Sequence, residues 1–128
     1  MKRHAALQDL SREHHHALKL ALDCRRAAVA ADVARQDAMI VACRACFVSD
    51  LEPHFQIEER DLLPRLAAAG ETALVERTLA EHAAIRKLVA VLPQRGAGGL
   101  EEFAVLMNAH VRFEERQLFA ALEKLLPA

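Results

Sequence analysis

The chain contains no tryptophan and no tyrosine, and only four glycines and four prolines interrupt its 128 residues. A sequence that is poor in glycine and aromatic residues and rich in alanine and leucine favours helices over strands. No apolar run approaches the roughly 20 residues of a membrane span, and the N-terminus has no apolar stretch of signal-peptide length. We therefore expect a soluble, all-α protein that is located in the cytoplasm and has no membrane partner.

An excess of one charge sign is also missing, and cysteine is scarce. Seventeen basic and eighteen acidic side chains leave a net charge of −1, and the arginines are scattered, which argues against nucleic acid as a partner. Three cysteines, an odd number, fit a reducing compartment in which thiols stay free. The length fits one domain covering residues 1–128, and the sequence leaves open whether it is a monomer or a homodimer.

One pattern of ten residues occurs twice, beginning at His54 and again at His110. Each copy has a histidine, glutamates four and five residues later, then an arginine, and a leucine eight residues after the histidine. Residues four apart lie on the same face of a helix, so each copy directs one imidazole and one carboxylate the same way. Each copy is therefore a candidate half-site for a metal ion.

Apolar residues at three- and four-residue spacing predict four amphipathic helices, over about 6–31, 35–69, 71–92 and 100–126. A histidine interrupts the apolar face of the first and of the third helix, at His14 and His82. In the run of three histidines, His15 is the alternative to His14. We also expect Pro53 to kink the second helix beside His54, and residues 95–99 to form a flexible loop.

Short connections between long helices imply antiparallel neighbours, and hence an up-down-up-down four-helix bundle. At roughly 1.5 Å per residue, counting from the turns places the histidines and glutamates at similar heights. Burying so many imidazoles and carboxylates without a cation would be unfavourable, which favours a metal centre. The expected metal ligands are His14, His54, Glu58, His82, His110 and Glu114.

This set of residues resembles the hemerythrin-like, cation-binding HHE family, whose order of histidine, HxxxE, histidine and HxxxE it matches. The flanking residues 10–15, 51–54 and 114–119 are also similar to that family, and the resemblance covers essentially the whole chain. It implies a non-haem di-iron centre, oxo- or hydroxo-bridged, in which both glutamates bridge the ions. His14 and His54 would serve one ion, and His82 and His110 the other. Manganese or zinc are the alternative metals.

Two positions differ from the oxygen-carrying hemerythrins. Four residues after His82, where those proteins have a further histidine, this chain has Arg86. Their last carboxylate is an aspartate five residues after its histidine, so Glu115 is an alternative to Glu114, although helical geometry favours Glu114. These differences make oxygen carriage an unsafe inference from the resemblance.

The number of metal contacts that the six side chains can make limits the possible functions of the site. Four imidazoles and two bridging carboxylates make eight metal contacts, whereas two six-coordinate ions need about twelve. The remaining positions suit a bridging oxygen, water, O₂, nitric oxide or peroxide, so we expect a small-ligand-binding protein for storage or sensing. The alternatives are a di-iron oxidoreductase with ferroxidase or peroxidase-like activity, and a structural metal-binding bundle, because eight contacts would fill two tetrahedral zinc ions.

Polar residues outside the six expected ligands are expected to have no role in metal binding. Glu59, Glu115 and Arg86 are expected to face solvent. The alternatives are that the two glutamates relay protons or iron at the mouth of the site, and that Arg86 reaches the edge of the site and stabilises a bound anion. Cys24 and Cys43 are expected to lie in one layer of the core, roughly 15 Å from the metals. A redox-responsive pair, with Cys46 as the alternative partner, is the corresponding hypothesis.

Overall fold

The computed structural model describes residues 3–127, and this part of the chain contains helices and turns but no strand. A 3-10 turn, Ala5–Leu7, leads into helix α1, Gln8–Val29. Helix α2 covers residues 33–68 and helix α3 covers residues 72–123. The prediction of an all-α protein is therefore confirmed.

Helices α1 and α2 are joined by three residues, and both helix ends are capped. The side chain of Asp32 accepts a hydrogen bond from the backbone N–H of Arg35 at 3.1 Å, as a helix N-cap does. The side-chain amide of Gln36 donates to the carbonyls of Ala27 and Ala28, at 3.4 and 3.2 Å, at the end of α1. Helix α2 therefore begins at Val33, two residues earlier than the sequence predicts.

Helix α2 is continuous but contains two π turns, in which a backbone N–H bonds to the carbonyl five residues earlier. The first, Phe47–Leu51, ends two residues before Pro53, where the sequence predicts a kink. The second, Glu58–Leu62, ends two residues before Pro64, and the helix continues to Ala68. Each proline lies in the helical segment that directly follows a π turn, so its missing N–H falls where the regular i to i−4 hydrogen bonding is already interrupted.

A tight turn separates α2 from α3. Gly70 has a φ of 85°, the left-handed conformation expected for the residue after a helix. The N–H of Glu71 bonds back to the carbonyl of Leu66 at 2.9 Å. Gly70 thus ends α2 as a left-handed cap.

Helix α3 differs from the prediction of two helices joined by a flexible loop. Two helical stretches within Thr72–Phe113 follow one another directly, and they meet at Gly96, which leaves the helical conformation with φ 56° and ψ −140°. The chain reverses direction at Gly96. The reversal is evident from the 2.7 Å hydrogen bond between His110, after the break, and Glu81, before it. A Cβ on Gly99 would lie 2.5 Å from Cβ of Arg95, so a small residue is needed where the arms begin to pack. We call residues 72–95 the first arm and residues 97–123 the second arm.

The core consists of two apolar clusters with a polar layer between them. One cluster contains Phe47, Phe55, Leu92 and Phe103, and the other contains Leu10, Leu66, Phe113 and Phe119. His14 follows Leu10 of one cluster and precedes Ala17 of the other, so its side chain lies between them. Within residues 3–127, no helix is long and apolar enough to span a membrane.

Candidate metal centre

The polar layer brings together the six residues predicted as metal ligands. Helix α1 supplies one of them, α2 two, the first arm of α3 one and the second arm two. Each is at most 4% exposed to solvent, whereas the two histidines that follow His14 are exposed. The residues are His14, His54, Glu58, His82, His110 and Glu114.

The six side chains form two overlapping groups that can each hold a metal ion. In both groups the potential ligand atoms lie within 4.8 Å of one another. One group contains His14 and His54, the other contains His82 and His110, and Glu58 and Glu114 belong to both. This is the arrangement that two ions sharing two carboxylates require.

Four buried atoms of this layer have no hydrogen-bond partner among the described residues. Nε2 of His82 and Oε1 of Glu58 lie 3.0 Å apart without the geometry of a hydrogen bond. Nε2 of His110 and Oε2 of Glu114, 3.1 Å apart, are also unpaired. Buried polar atoms are rarely left unpaired, because desolvation is then uncompensated. A cation between these atoms would satisfy all four, so the residues fit a bound metal.

Each shared glutamate is the first residue of a π turn. Glu58 begins Glu58–Leu62, and Glu114 begins Glu114–Leu118. The two turns fall on equivalent positions of the repeated sequence, so the repeat encodes backbone geometry as well as side chains. Isolated π turns within α-helices are frequent at functional sites. The sequence periodicity did not predict them.

An outer set of carboxylates bonds to the second nitrogen of every histidine in the layer. Nδ1 of each histidine lies 2.6 to 3.1 Å from a carboxylate oxygen. When Nδ1 carries the proton and donates it, Nε2 is free to bind a metal. The pairs are His14 with Glu115, His54 with Glu13, His82 with Glu59, and His110 with Glu81. We call these four glutamates the outer carboxylates.

The expectation that Glu59 and Glu115 face solvent was therefore wrong. Both are partly buried and hold the histidine of a neighbouring helix or arm. A sequence signal for these residues does exist, because each outer carboxylate is adjacent in sequence to one of the six predicted ligands. Glu115, the alternative ligand, lies outside both metal-binding groups, and Glu114 lies in both.

Arginines hold three of the outer carboxylates in place. Arg3 pairs with Glu115 at 3.1 Å, Arg77 with Glu81 at 2.9 Å, and Arg86 with Glu59 at 2.8 Å. Arg86 also makes two 2.7 Å bonds to Glu52, a bidentate pair with restricted geometry. The expectation that Arg86 is solvated was wrong, because two carboxylates of α2 face it.

Aromatic rings stack on the faces of two of the histidines. Phe55 stacks on His82 with ring centroids 3.9 Å apart and an angle of 9° between the planes. Phe119 stacks on His14 at 5.2 Å, also at 9°. The rings restrict rotation of the imidazoles and exclude water from the layer.

The protonation of the histidines follows from the surrounding carboxylates. Burial alone would lower their pKa values, but Glu114 and Glu58 outweigh it and raise the pKa to about 11 for His54 and to about 9 for His82. For His110, Glu114 and Glu81 raise the pKa to about 10. Burial would raise the pKa of Glu114, yet the histidines hold it well below its usual range. In the metal-free protein, protons therefore take the place of the positive charge that a metal would supply.

Two of the three cysteines, Cys24 and Cys43, lie in the apolar cluster that contains Phe47 and Phe103. Cys24 and Cys43 are both fully buried, and the contact with Cys24, together with burial, raises the pKa of the Cys43 thiol. Burial and the nearby Asp50 raise the pKa of Cys46 to about 11. The thiolate is the reactive form, so these surroundings disfavour reaction. The expected proximity of Cys24 and Cys43 is observed, and their redox response stays a prediction.

Replacing Glu59 by alanine is expected to weaken metal binding roughly 10- to 100-fold, the usual effect of removing a partner that orients a ligand histidine. The substitution frees Nδ1 of His82 and removes one of the two carboxylates that hold Arg86. Competition of the protein with a chromophoric chelator measures the affinity. Asp61→Ala is the matched control, because Asp61 is exposed and pairs with Arg60 alone. Equal affinities of the two variants would contradict the assigned role of Glu59.

Comparison with known protein families agrees with this geometry. Residues 5–122 match the family model described as the hemerythrin HHE cation binding domain. The matched range contains all six residues of the two metal-binding groups. No curated protein and no solved structure matches the chain.

Proposed function

Because the chain belongs to the hemerythrin HHE cation-binding domain family, we propose that it binds two iron ions in the polar layer and, through them, a small ligand such as O₂, nitric oxide or peroxide. Four buried atoms without hydrogen-bond partners, on Glu58, His82, His110 and Glu114, support this proposal most directly, because a cation would satisfy them. His14 and His54 would bind one ion, His82 and His110 the other, and the two glutamates both. Mixed imidazole and carboxylate donors suit iron, although they also accept manganese or zinc.

The ions would supply open positions for a small ligand, since the protein offers eight contacts to a pair that takes about twelve. A cavity of about 10 Å³ adjoins the layer, beside His14, His54 and His110. This is room for about one water-sized molecule, and its other walls include Met107 and Val111. A cavity this small and largely apolar favours a diatomic ligand or peroxide over an organic substrate.

The chain's own residues orient the donors and keep water out. The outer carboxylates hold each Nδ1, so that all four Nε2 atoms point into the layer. Phe55 and Phe119 restrict the rings of His82 and His14.

We propose that the four helical stretches form an up-down-up-down bundle within a single domain, because the arms of α3 pack antiparallel. We also propose that the protein is cytoplasmic.

The experiment that tests this function is the metal content of the purified chain, combined with absorption spectra after loading with ferrous iron in air. We expect two iron ions per chain and the near-ultraviolet absorption of a bridged ferric pair. His54→Ala and His110→Ala should each lose iron, whereas His15→Ala should keep it, because His15 is exposed. Full iron content in the first two variants would contradict the site.

A second measurement separates binding from catalysis. A binding protein gives a stoichiometric, reversible spectral change with O₂ or nitric oxide. The alternative, a di-iron oxidoreductase, consumes O₂ or peroxide over many turnovers. A structural zinc bundle predicts neither response.

A further inference from the structure

Three of the four outer carboxylates are held by an arginine, but Glu13 is not. Among residues 3–127, no lysine or arginine lies within ion-pairing distance of the Glu13 side chain, which bonds only to Nδ1 of His54, at 3.1 Å. Its side chain is 41% exposed, whereas those of the other three are at most 28% exposed. The layer is therefore least enclosed at Glu13, whose only charged partner among the described residues is His54.

Glu13 also lines a surface cleft between α1 and α2. The cleft has a volume of about 410 Å³, and its wall includes His16, Cys46 and Asp50. Among the described residues that line it there are two carboxylates and no lysine or arginine. The carboxylates in this concave surface attract cations from solution.

The cleft and the inner cavity meet at the same three residues. Glu13, Leu51 and His54 line both the 410 Å³ cleft and the 10 Å³ cavity. The inner cavity reaches His110, which is 1% exposed and whose Nε2 has no hydrogen-bond partner among the described residues. A route from solvent to an unsatisfied buried ligand atom thus passes beside Glu13 and Leu51, the side chains that separate the cleft from the cavity.

We infer that this cleft is the route by which a divalent cation reaches the metal centre, and that Glu13 is the carboxylate that first binds it. The inference rests on the proposed metal centre. Asp50 and Glu13 attract the hydrated ion to the cleft. The Glu13 carboxylate then leaves Nδ1 of His54, takes the ion past Leu51 to the Nε2 atoms of the layer, and returns to His54. The absence of an arginine clamp leaves Glu13 free for this movement, and any metal site needs such a path.

The test is the rate at which the full, metal-free chain takes up Co²⁺, followed by stopped-flow absorption at low ionic strength. In the Glu13→Gln, Asp50→Asn double variant we expect uptake to slow roughly tenfold or more, the size of effect that electrostatic steering produces. The Asp50→Asn single variant should also slow uptake, by a smaller factor, and should keep the final cobalt content and spectrum of the wild type, because Asp50 holds none of the histidines. Glutamine at position 13 also weakens the orientation of His54, so uptake by the double variant is compared at saturating Co²⁺. Salt should reduce the difference between variant and wild type.

The matched control is the Asp37→Asn, Glu76→Gln double variant, which removes the same charge from exposed positions outside the cleft. We expect its uptake rate to equal that of the wild type. Equal slowing of both double variants would overturn the inference, since net charge alone would explain it, and so would a wild-type rate in the cleft variant. A wild-type uptake rate in Asp50→Asn, with slowing confined to variants of Glu13, would also overturn it, because Glu13 would then act only by positioning His54. Failure of the wild type to bind Co²⁺ would instead count against the proposed metal centre.

Discussion

Replacing Glu114 by glutamine is expected to remove both ions from the metal-loaded protein together. Glu114 belongs to both metal-binding groups, and its oxygens lie 2.8 Å from Nε2 of His14 and 3.1 Å from Nε2 of His110. Glutamine has nearly the same shape but lacks the negative charge and offers only one acceptor oxygen. The loss of affinity should exceed the roughly 100-fold upper range for an outer partner.

The neighbouring residue provides the control for Glu114. Glu115→Gln removes one charge from the next position of the same π turn, but among the six residues of the layer Glu115 bonds only to Nδ1 of His14, and it lies outside both groups. We expect it to keep both ions with reduced affinity. Metal content after dialysis against a weak chelator, with circular dichroism to verify folding, compares the variants. Loss of a single ion from Glu114→Gln would show that the carboxylate does not serve both.

The placement of the six side chains in one buried layer could be predicted because the periodicity of a helix fixes the direction in which each side chain points. His14 follows Leu10 by four residues and precedes Ala17 by three, so it shares their buried face, whereas His15 is turned outward. The spacing of four residues likewise selected Glu114 over Glu115. Local patterns of this kind do not depend on how the helices pack.

The surroundings of the site depend on packing and were largely missed. Glu59 precedes an exposed arginine and looks solvated in sequence, yet it bonds to His82 from another helix. The distance between two helices at that height is not readable from either one. The π turns were missed because a single extra residue in a helical turn barely alters apolar periodicity. At Gly96, the glycine-rich composition indicated a loop, but one positive φ is sufficient to reverse the chain.

Raising the pH from about 6 to about 10 is expected to lower the stability of the metal-free protein steeply while leaving the metal-loaded protein much less affected. The pKa values of His54, His82 and His110 are raised in the fold to about 11, 9 and 10, from an ordinary value of 6.5. A raised folded-state pKa stabilises the fold fully below the unfolded value, and this contribution is lost as pH rises through the folded value. Between its unfolded-state and folded-state pKa values, each histidine can lower the free energy of unfolding by up to about 1.4 kcal/mol for each unit by which the pH rises.

The comparison with the loaded protein isolates these histidines from other groups that titrate at high pH. A bound metal requires neutral imidazoles, so the loaded protein has no such protons to lose, and metal uptake near neutral pH should release protons. Urea unfolding followed by circular dichroism, at several pH values with and without bound metal, gives both stability profiles. Parallel profiles would contradict the assignment, because lysines and cysteines titrate equally in the two forms. A metal-free profile that falls from about pH 6.5 while the loaded profile stays level would show that protons and metal ions compete for the same four imidazoles.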